Sequence, residues 1–178
     1  MIRTERLILR DWRDSDLDPF AAMCADPEVM AHLDGPIDRD ATAAVIERLR
    51  GYTARDAMTF WAIERQDDGA FLGFCGLRNG GHIGTTVPDE LEIGWRLARP
   101  FWGQGYAREA AQASIHHGWE HTDRDRIAAW TVAANTASWG LMTRLGMSPR
   151  PDLDFDHPQF PAGHPLRRII VYTIDRPQ

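Results

Sequence analysis

The 178-residue sequence has only two cysteines, no run of lysine or arginine, no internal repeat, and no apolar window near the ~18 residues that a membrane span needs. Each shortage excludes something. Cys24 and Cys75 are far apart, one in a predicted helix and one in a predicted strand, so buried thiols are expected rather than a disulfide. The missing basic run, together with a formal charge of −6, argues against a nucleic-acid surface; Arg167-Arg168 is only a small basic pair. An acidic balance fits a cationic partner better. The N-terminus also lacks an apolar signal-like region, so a cytoplasmic protein with no membrane partner is expected. With 43% hydrophobic and 26% charged residues and no linker, the chain suits one domain over residues 1–178 with a substantial core.

The hydrophobic pattern predicts a strand over 6–12, a helix capped by Ser15-x-x-Asp18 that ends at Asp26-Pro27, and a second helix from about Asp38 with Val45, Ile46, Leu49 and Tyr52 on one face. Strands over 59–65 and 71–77 flank Asp67-Asp68-Gly69, a hairpin signal. A glycine-rich loop at 79–84 leads to a strand over 91–97, then a helix, a strand over 127–132, a short helix over 137–145 closed by Gly146, and a last strand over 168–174. The order β-α-α-β-β-β-α-β-α-β implies an α+β or mixed-sheet domain.

The most informative stretch runs from Leu91 to Ala110. Leu91, Ile93, Trp95 and Leu97 alternate with Glu92, Gly94 and Arg96, and then Ala107, Ala110, Ala111, Ser114, Ile115 and Gly118 recur at helical spacing. The two periods meet at Gly103-Gln104-Gly105. Glycines there let the backbone approach a bulky anion, and the helix start offers unpaired N–H groups and roughly half a positive charge. A dinucleotide fingerprint would need a third glycine where Arg108 stands, and Asp125 precedes the next strand instead of ending it. A Walker A loop would need Gly-Lys-Ser/Thr, which is absent. A bare structural turn is the plain alternative.

Three segments in family order decide among these readings. They are Thr4-Glu5-Arg6-Leu7-Ile8-Leu9-Arg10-Asp11-Trp12 with Ser15-Asp16-Leu17-Asp18, then Pro100-Phe101-Trp102-Gly103-Gln104-Gly105-Tyr106-Ala107 with Glu109-Ala110, and then Asn135-Thr136-Ala137-Ser138 leading to Leu145-Gly146-Met147. Together they resemble the GNAT acetyltransferases, specifically the RimJ/RimL-like branch of ribosomal-protein N-terminal acetyltransferases. The resemblance implies a GNAT fold, a mixed, mostly antiparallel sheet with helices on both faces and a splayed acetyl-CoA cleft between the strands over 91–97 and 127–132. It also implies roles. Trp95, Arg96 and Leu97 would offer backbone groups to pantetheine, Gly103, Gln104, Gly105, Tyr106, Ala107 and Arg108 would hold the pyrophosphate, and Asn135 and Ser138 would contact the coenzyme. The chain departs from the family at Pro100, where a Gln or Arg is common, and at Met142, where many relatives place a tyrosine that protonates the leaving thiol. Met147 replaces an aromatic residue of similar volume.

Acetyl transfer to an amine requires a neutral amine, a polarised carbonyl and a destination for the proton. Glu92 is the candidate base, with a solvated strand carboxylate as the alternative, and Ser138 is a candidate relay by resemblance. A backbone N–H near Trp95 would stabilise the oxyanion. An α-amine with pKa ~8 is roughly a tenth neutral at pH 7, whereas a lysine amine at ~10.4 is neutral in under one molecule in a thousand, a gap of ~3 kcal/mol. A single weak base therefore suits a peptide or protein N-terminal amine, with small-molecule amines such as polyamines, amino acids or antibiotics as the alternative. The acidic loop Asp152 to Asp156, with Asp34 and His32 between the first two helices, could attract a cation, with solvated loop acids as the favoured alternative. Loops 26–40, 78–89 and 150–166 are expected to decide the acceptor. A monomer or homodimer with no metal is expected.

Two readings compete. His117-Gly118-Trp119-Glu120-His121 fits the His-x-x-Glu-His spacing of inverted zinc peptidases, but such a site needs a third ligand, typically a downstream glutamate, and none follows Glu120. A coenzyme-binding module without turnover is the other.

Overall fold

Nine strands form a single sheet in the computed structural model, which describes residues 1–178. In chain order the elements are β1 (Ile2–Arg3), β2 (Leu7–Arg10), α1 (Leu17–Cys24), α2 (Arg39–Asp56), β3 (Phe60–Arg65), β4 (Phe71–Gly80), β5 (Glu90–Leu97), α3 (Tyr106–His121), β6 (Arg126–Val132), α4 (Thr136–Arg144), β7 (Ser148–Pro149), β8 (Phe155–Asp156) and β9 (Arg168–Asp175). The sheet runs β1-β2-β3-β4-β5-β6-β9-β7, with β8 also on β9. Every pairing is antiparallel except β5 with β6. This is the expected α+β architecture. β1, β7 and β8 are two-residue additions whose backbone pairing leaves no periodicity to read.

Strand alternation sorts the core onto two faces. Trp61, Ile63, Cys75, Leu91, Ile93 and Leu97 pack with Ala110, Ala111 and Ile115 of α3 and with Met142 of α4. The neighbouring positions Ala62 and Phe74 point the other way, toward Phe20 and Met23 of α1 and Ile46 and Leu49 of α2. Helices thus cover both faces, and each strand residue's parity decides which compartment its side chain enters.

Local signals explain most boundaries. The Asp38 carboxylate accepts the Ala41 N–H at 2.8 Å and caps α2. Asp67-Asp68-Gly69 turns β3 into β4, with the Arg65 N–H donating to the Ala70 carbonyl at 2.9 Å. α4 closes in a Schellman motif: the Gly146 and Met147 N–H groups donate to the Thr143 and Met142 carbonyls, both at 3.0 Å. Both cysteines are free and buried. No helix is long and apolar enough to cross a membrane.

The start of α1 corrects the sequence reading. Ser15 caps nothing; residues Asp14–Asp16 form a single 3-10 turn, and Asp16 is the residue at the helix N-cap. Its carboxylate is turned inward, where it accepts the Arg13 N–H at 2.7 Å and both Nη1 and Nη2 of Arg10 at 2.8 Å. The two side chains are 5% and 3% exposed. Glu64 takes the Arg10 Nε at 2.6 Å. Removing one partner leaves a buried charge underpaired, so Asp16→Ala is expected to lower unfolding stability by about 3 kcal/mol. Urea unfolding checks this, and a loss below about 1 kcal/mol would show Glu64 suffices for Arg10.

Candidate functional site

β4 accompanies β5 from Glu90 to Leu97, but on the other side β6 meets β5 at one register position, Glu92 opposite Ala128. From Arg126 to Val132, β6 is paired on its far side with β9. Beyond that position β5 has no strand partner on the β6 side, and its main-chain groups there, apart from the Leu97 carbonyl that the Trp102 indole takes, are free for a ligand. β5 and β6 are parallel, so their carboxyl ends lie at the same end of the sheet. α3 starts after one and α4 after the other, which places two helix N-termini at the mouth of the gap.

The β5–α3 loop is built to leave backbone donors exposed. The Ala98 N–H holds the Leu72 carbonyl at 2.9 Å, and the Trp102 indole N–H donates to the Leu97 carbonyl at 2.7 Å. Gly103 (φ +71°) and Gly105 (φ +82°) occupy the left-handed region, so the chain can turn tightly into α3. The first helical bond runs from the Glu109 N–H to the Gly105 carbonyl at 3.0 Å, leaving the N–H groups of Tyr106, Ala107 and Arg108 without intrahelical acceptors.

The N-terminal segment braces this loop. Glu109 accepts the Arg6 N–H at 2.9 Å and the Arg6 Nε at 2.7 Å, and also holds the Thr4 hydroxyl. Arg6 Nη1 donates to the Gln104 carbonyl at 3.1 Å, with its guanidinium 4.5 Å from the centre of the Tyr106 ring. The Thr4–Arg6 and Glu109 parts of two separated sequence motifs are thus in direct contact. Arg6 also brings a cation to the loop, a role the sequence reading did not assign to it.

Glu92 is on the face of β5 opposite α3, its side chain 12% exposed and ion-paired with Arg78 of β4, its register partner. Burial, the largest influence, pushes its carboxyl up to about 7 against the opposing pull of Arg78. A carboxyl at that value changes protonation near neutrality, as a general base must. The solvated-strand alternative is therefore corrected.

On the β6 side, Asn135 caps α4: its Oδ1 accepts the Ser138 N–H at 3.3 Å while its Nδ2 donates to Thr131 Oγ1 at 3.0 Å. Ser138 is half-buried in the first turn of α4, at the carboxyl end of β6. Met142 is 1% exposed and belongs to the core under α3.

This geometry, a parallel pair parted beyond one register position with a glycine-turned helix start beside it, agrees with a family model. The acetyltransferase (GNAT) domain model matches residues 6–148. The chain belongs to the GNAT acetyltransferase family. The YkkB protein of Bacillus subtilis is 32% identical over 145 residues, 81% of this chain and 83% of that one. Among solved structures, an Agrobacterium tumefaciens acetyltransferase superposes with a TM-score of 0.79 at 24% identity, covering 98% of this chain and 94% of that one. RimL, a ribosomal L7/L12 α-N-protein acetyltransferase in complex with coenzyme A, superposes at 0.76 and 17% identity, covering 97% and 95%. At these identities the structural likenesses establish the fold.

The GNAT acetyltransferase keeps its other sequence features away from the gap. His117 packs edge-on against Trp61 at 5.2 Å between ring centres and stacks on His121 at 3.9 Å. His121 Nδ1 sits 2.9 Å from the His117 carbonyl, and Glu120 faces His116 at 3.2 Å. The His-x-x-Glu-His spacing is thus the C-terminal face of α3. The acidic loop is also occupied: Asp152 pairs with Arg150 at 2.7 Å, Asp156 with Arg167 at 3.1 Å, and Asp154 accepts the Val171 N–H at 2.9 Å. These local partners fit the favoured alternative of surface loop acids rather than a cation site. Parts of two of the three expected specificity loops do meet. Residues 31–35 and His164–Leu166 close, with Val132 and Ala134, around a cavity of about 460 Å³.

Proposed function

We propose that this enzyme moves an acetyl group from acetyl-CoA to a primary amine of low pKa, most simply the N-terminal amine of a peptide or protein. The observation that carries the reading is the gap between β5 and β6, with two helix N-termini at its mouth and a raised carboxyl, Glu92, beside it. In this reading the N–H groups of residues 103–108 bind the pyrophosphate, backbone groups of Trp95, Arg96 and Leu97 bind pantetheine, and Asn135 and Ser138 flank the coenzyme from the β6 side.

The amine nitrogen attacks the thioester carbonyl. A C–N bond forms, a main-chain N–H near Trp95 stabilises the oxyanion, the C–S bond breaks, and its electron pair leaves on sulfur. Glu92 takes the amine proton directly or through one water. Ser138 relays a proton to the thiolate. Met142, in the core, contributes no proton.

The chain contains no lysine, so no side-chain amine of its own competes as acceptor. Thiol release from acetyl-CoA is therefore a clean assay. Peptides with free N-termini are expected to release thiol at least about tenfold faster than the same peptides blocked at the N-terminus, following the neutral-amine argument. Release with polyamines or aminoglycosides but not with peptides would reject the peptide acceptor while keeping the enzyme class.

A further inference from the structure

Arg96 sits in an unusual place for a cation. Its parity on β5 turns the side chain to the α1–α2 face, where its Nη1 lies 3.4 Å from Met30 Sδ and 3.7 Å from Cys24 Sγ, and its guanidinium stacks 5.2 Å from the Phe74 ring centre. No carboxylate pairs with it. Both sulfurs are neutral, since burial pushes the Cys24 thiol further up. Burial also holds the Arg96 guanidinium below its ordinary value, with Arg48 adding repulsion. A half-buried guanidinium with no carboxylate partner, facing a cavity, favours an anion there.

The space beside it is a cavity of about 320 Å³ between α2 and the sheet, lined by Arg48, Arg78 and Arg96 and by the rings of Tyr52, Phe60 and Phe74, with no acidic residue in its wall. Arg78 is ion-paired with Glu92, whereas no carboxylate pairs with Arg48 or Arg96. Gly94 lies between Glu92 and Arg96 on the same face, and a Cβ there would come within 2.8 Å of the Phe60 ring, so the floor is kept bare where the ring lies. Phe60 and Phe74 are stacked at 5.5 Å and 7°. Arg96 over Phe74 and Arg78 over Phe60 set guanidinium groups against flat rings, a lining that suits a small anion attached to an apolar body.

We propose that the acceptor amine carries a carboxylate a few bonds away, held by Arg96 and Arg48 in this cavity, with its apolar part on Phe60 and Phe74 and its amine toward Glu92. This deepens the acetyltransferase reading and rests on it. The shared chemistry is an amine and a carboxylate on one apolar frame, supplied either by a free amino acid or by an acidic residue next to a peptide N-terminus. Polyamines and aminoglycosides, being cations, are disfavoured by the same charges.

The test has a binding arm and a turnover arm. In the binding arm, N-acetylphenylalanine and its carboxamide are titrated into the wild-type protein and into Arg96→Gln and Arg48→Gln; Arg48 is exposed on α2, so that variant leaves the core intact. The carboxylate is expected to bind about 10- to 100-fold more tightly than the amide, and each substitution to remove much of the preference. Equal binding of the two, or binding of neither, overturns the proposal. In the turnover arm, acetyl-CoA is offered with phenylalanine, phenylalaninamide, and peptides bearing Asp or Asn at the second position. A carboxylate preference lost in Arg48→Gln supports the proposal and identifies the source. Turnover without that preference overturns it and leaves the acetyltransferase reading standing, whereas carboxylate-selective binding without any turnover upholds the site and removes the catalytic reading.

Discussion

Replacing Glu92 by Gln is expected to lower kcat/KM for acetyl transfer by about 10²- to 10⁴-fold, the usual contribution of a positioned general base. The pH profile should change with it. In the wild type the rate rises as Glu92 loses its proton, so the acid limb centres near its pKa of about 7. In Glu92→Gln that limb disappears, leaving only the ionisation of the amine. The same group gives a stability signature of defined sign. Its folded pKa lies above the ordinary glutamate value of 4.5, so the unfolded chain releases the proton first and wild-type stability falls as pH rises from about 4.5 toward 7, then levels. Glu92→Gln should lack this slope. A loss of activity below about threefold with an unchanged acid limb would remove Glu92 from the chemistry.

The second large effect is expected at the helix start. Gly105 has φ +82°, a region that costs a side-chain-bearing residue about 1–2 kcal/mol, and a Cβ there would lie 3.4 Å from Arg6 Nη2. Gly105→Glu adds a carboxylate that competes for the N–H groups of Tyr106, Ala107 and Arg108 and repels a pyrophosphate. Losing two charge-assisted hydrogen bonds, at about 1.5–3 kcal/mol each, corresponds to weakening of coenzyme A binding by about 10²-fold or more. Calorimetric titration of coenzyme A into the folded variant checks it. Affinity within threefold of wild type would mean that the pyrophosphate is held elsewhere.

The long elements were legible in the sequence because their signals are local. Alternation in β5 placed Glu92, Gly94 and Arg96 on one face, helical spacing placed Ala110, Ala111, Ser114, Ile115 and Gly118 on the buried face of α3, and Asp38 and Gly146 marked helix ends. What periodicity does not carry is cross-chain pairing. That Arg10 would draw Asp16 inward, and so take it from capping α1, depends on a guanidinium six residues earlier. That Arg78 would pair with Glu92 depends on strand register, and that Arg6 would brace Gln104 depends on a contact spanning 98 residues. The same limit affected the charge reading. The net −6 suggested a cationic partner, but the acids of the 152–156 loop meet local arginines or backbone, while the unpaired charges at the cavity under α2 are positive. Net charge describes the whole surface, and specificity is set in one cavity.

The most direct measurement is a crystal structure of the protein with coenzyme A bound. The account predicts pyrophosphate oxygens within about 2.7–3.2 Å of N–H groups between Gly103 and Arg108, and the thiol in the gap between β5 and β6 on the side reached from Glu92. Coenzyme A bound away from that gap, or with its thiol on the far side of the sheet from Glu92, would contradict it.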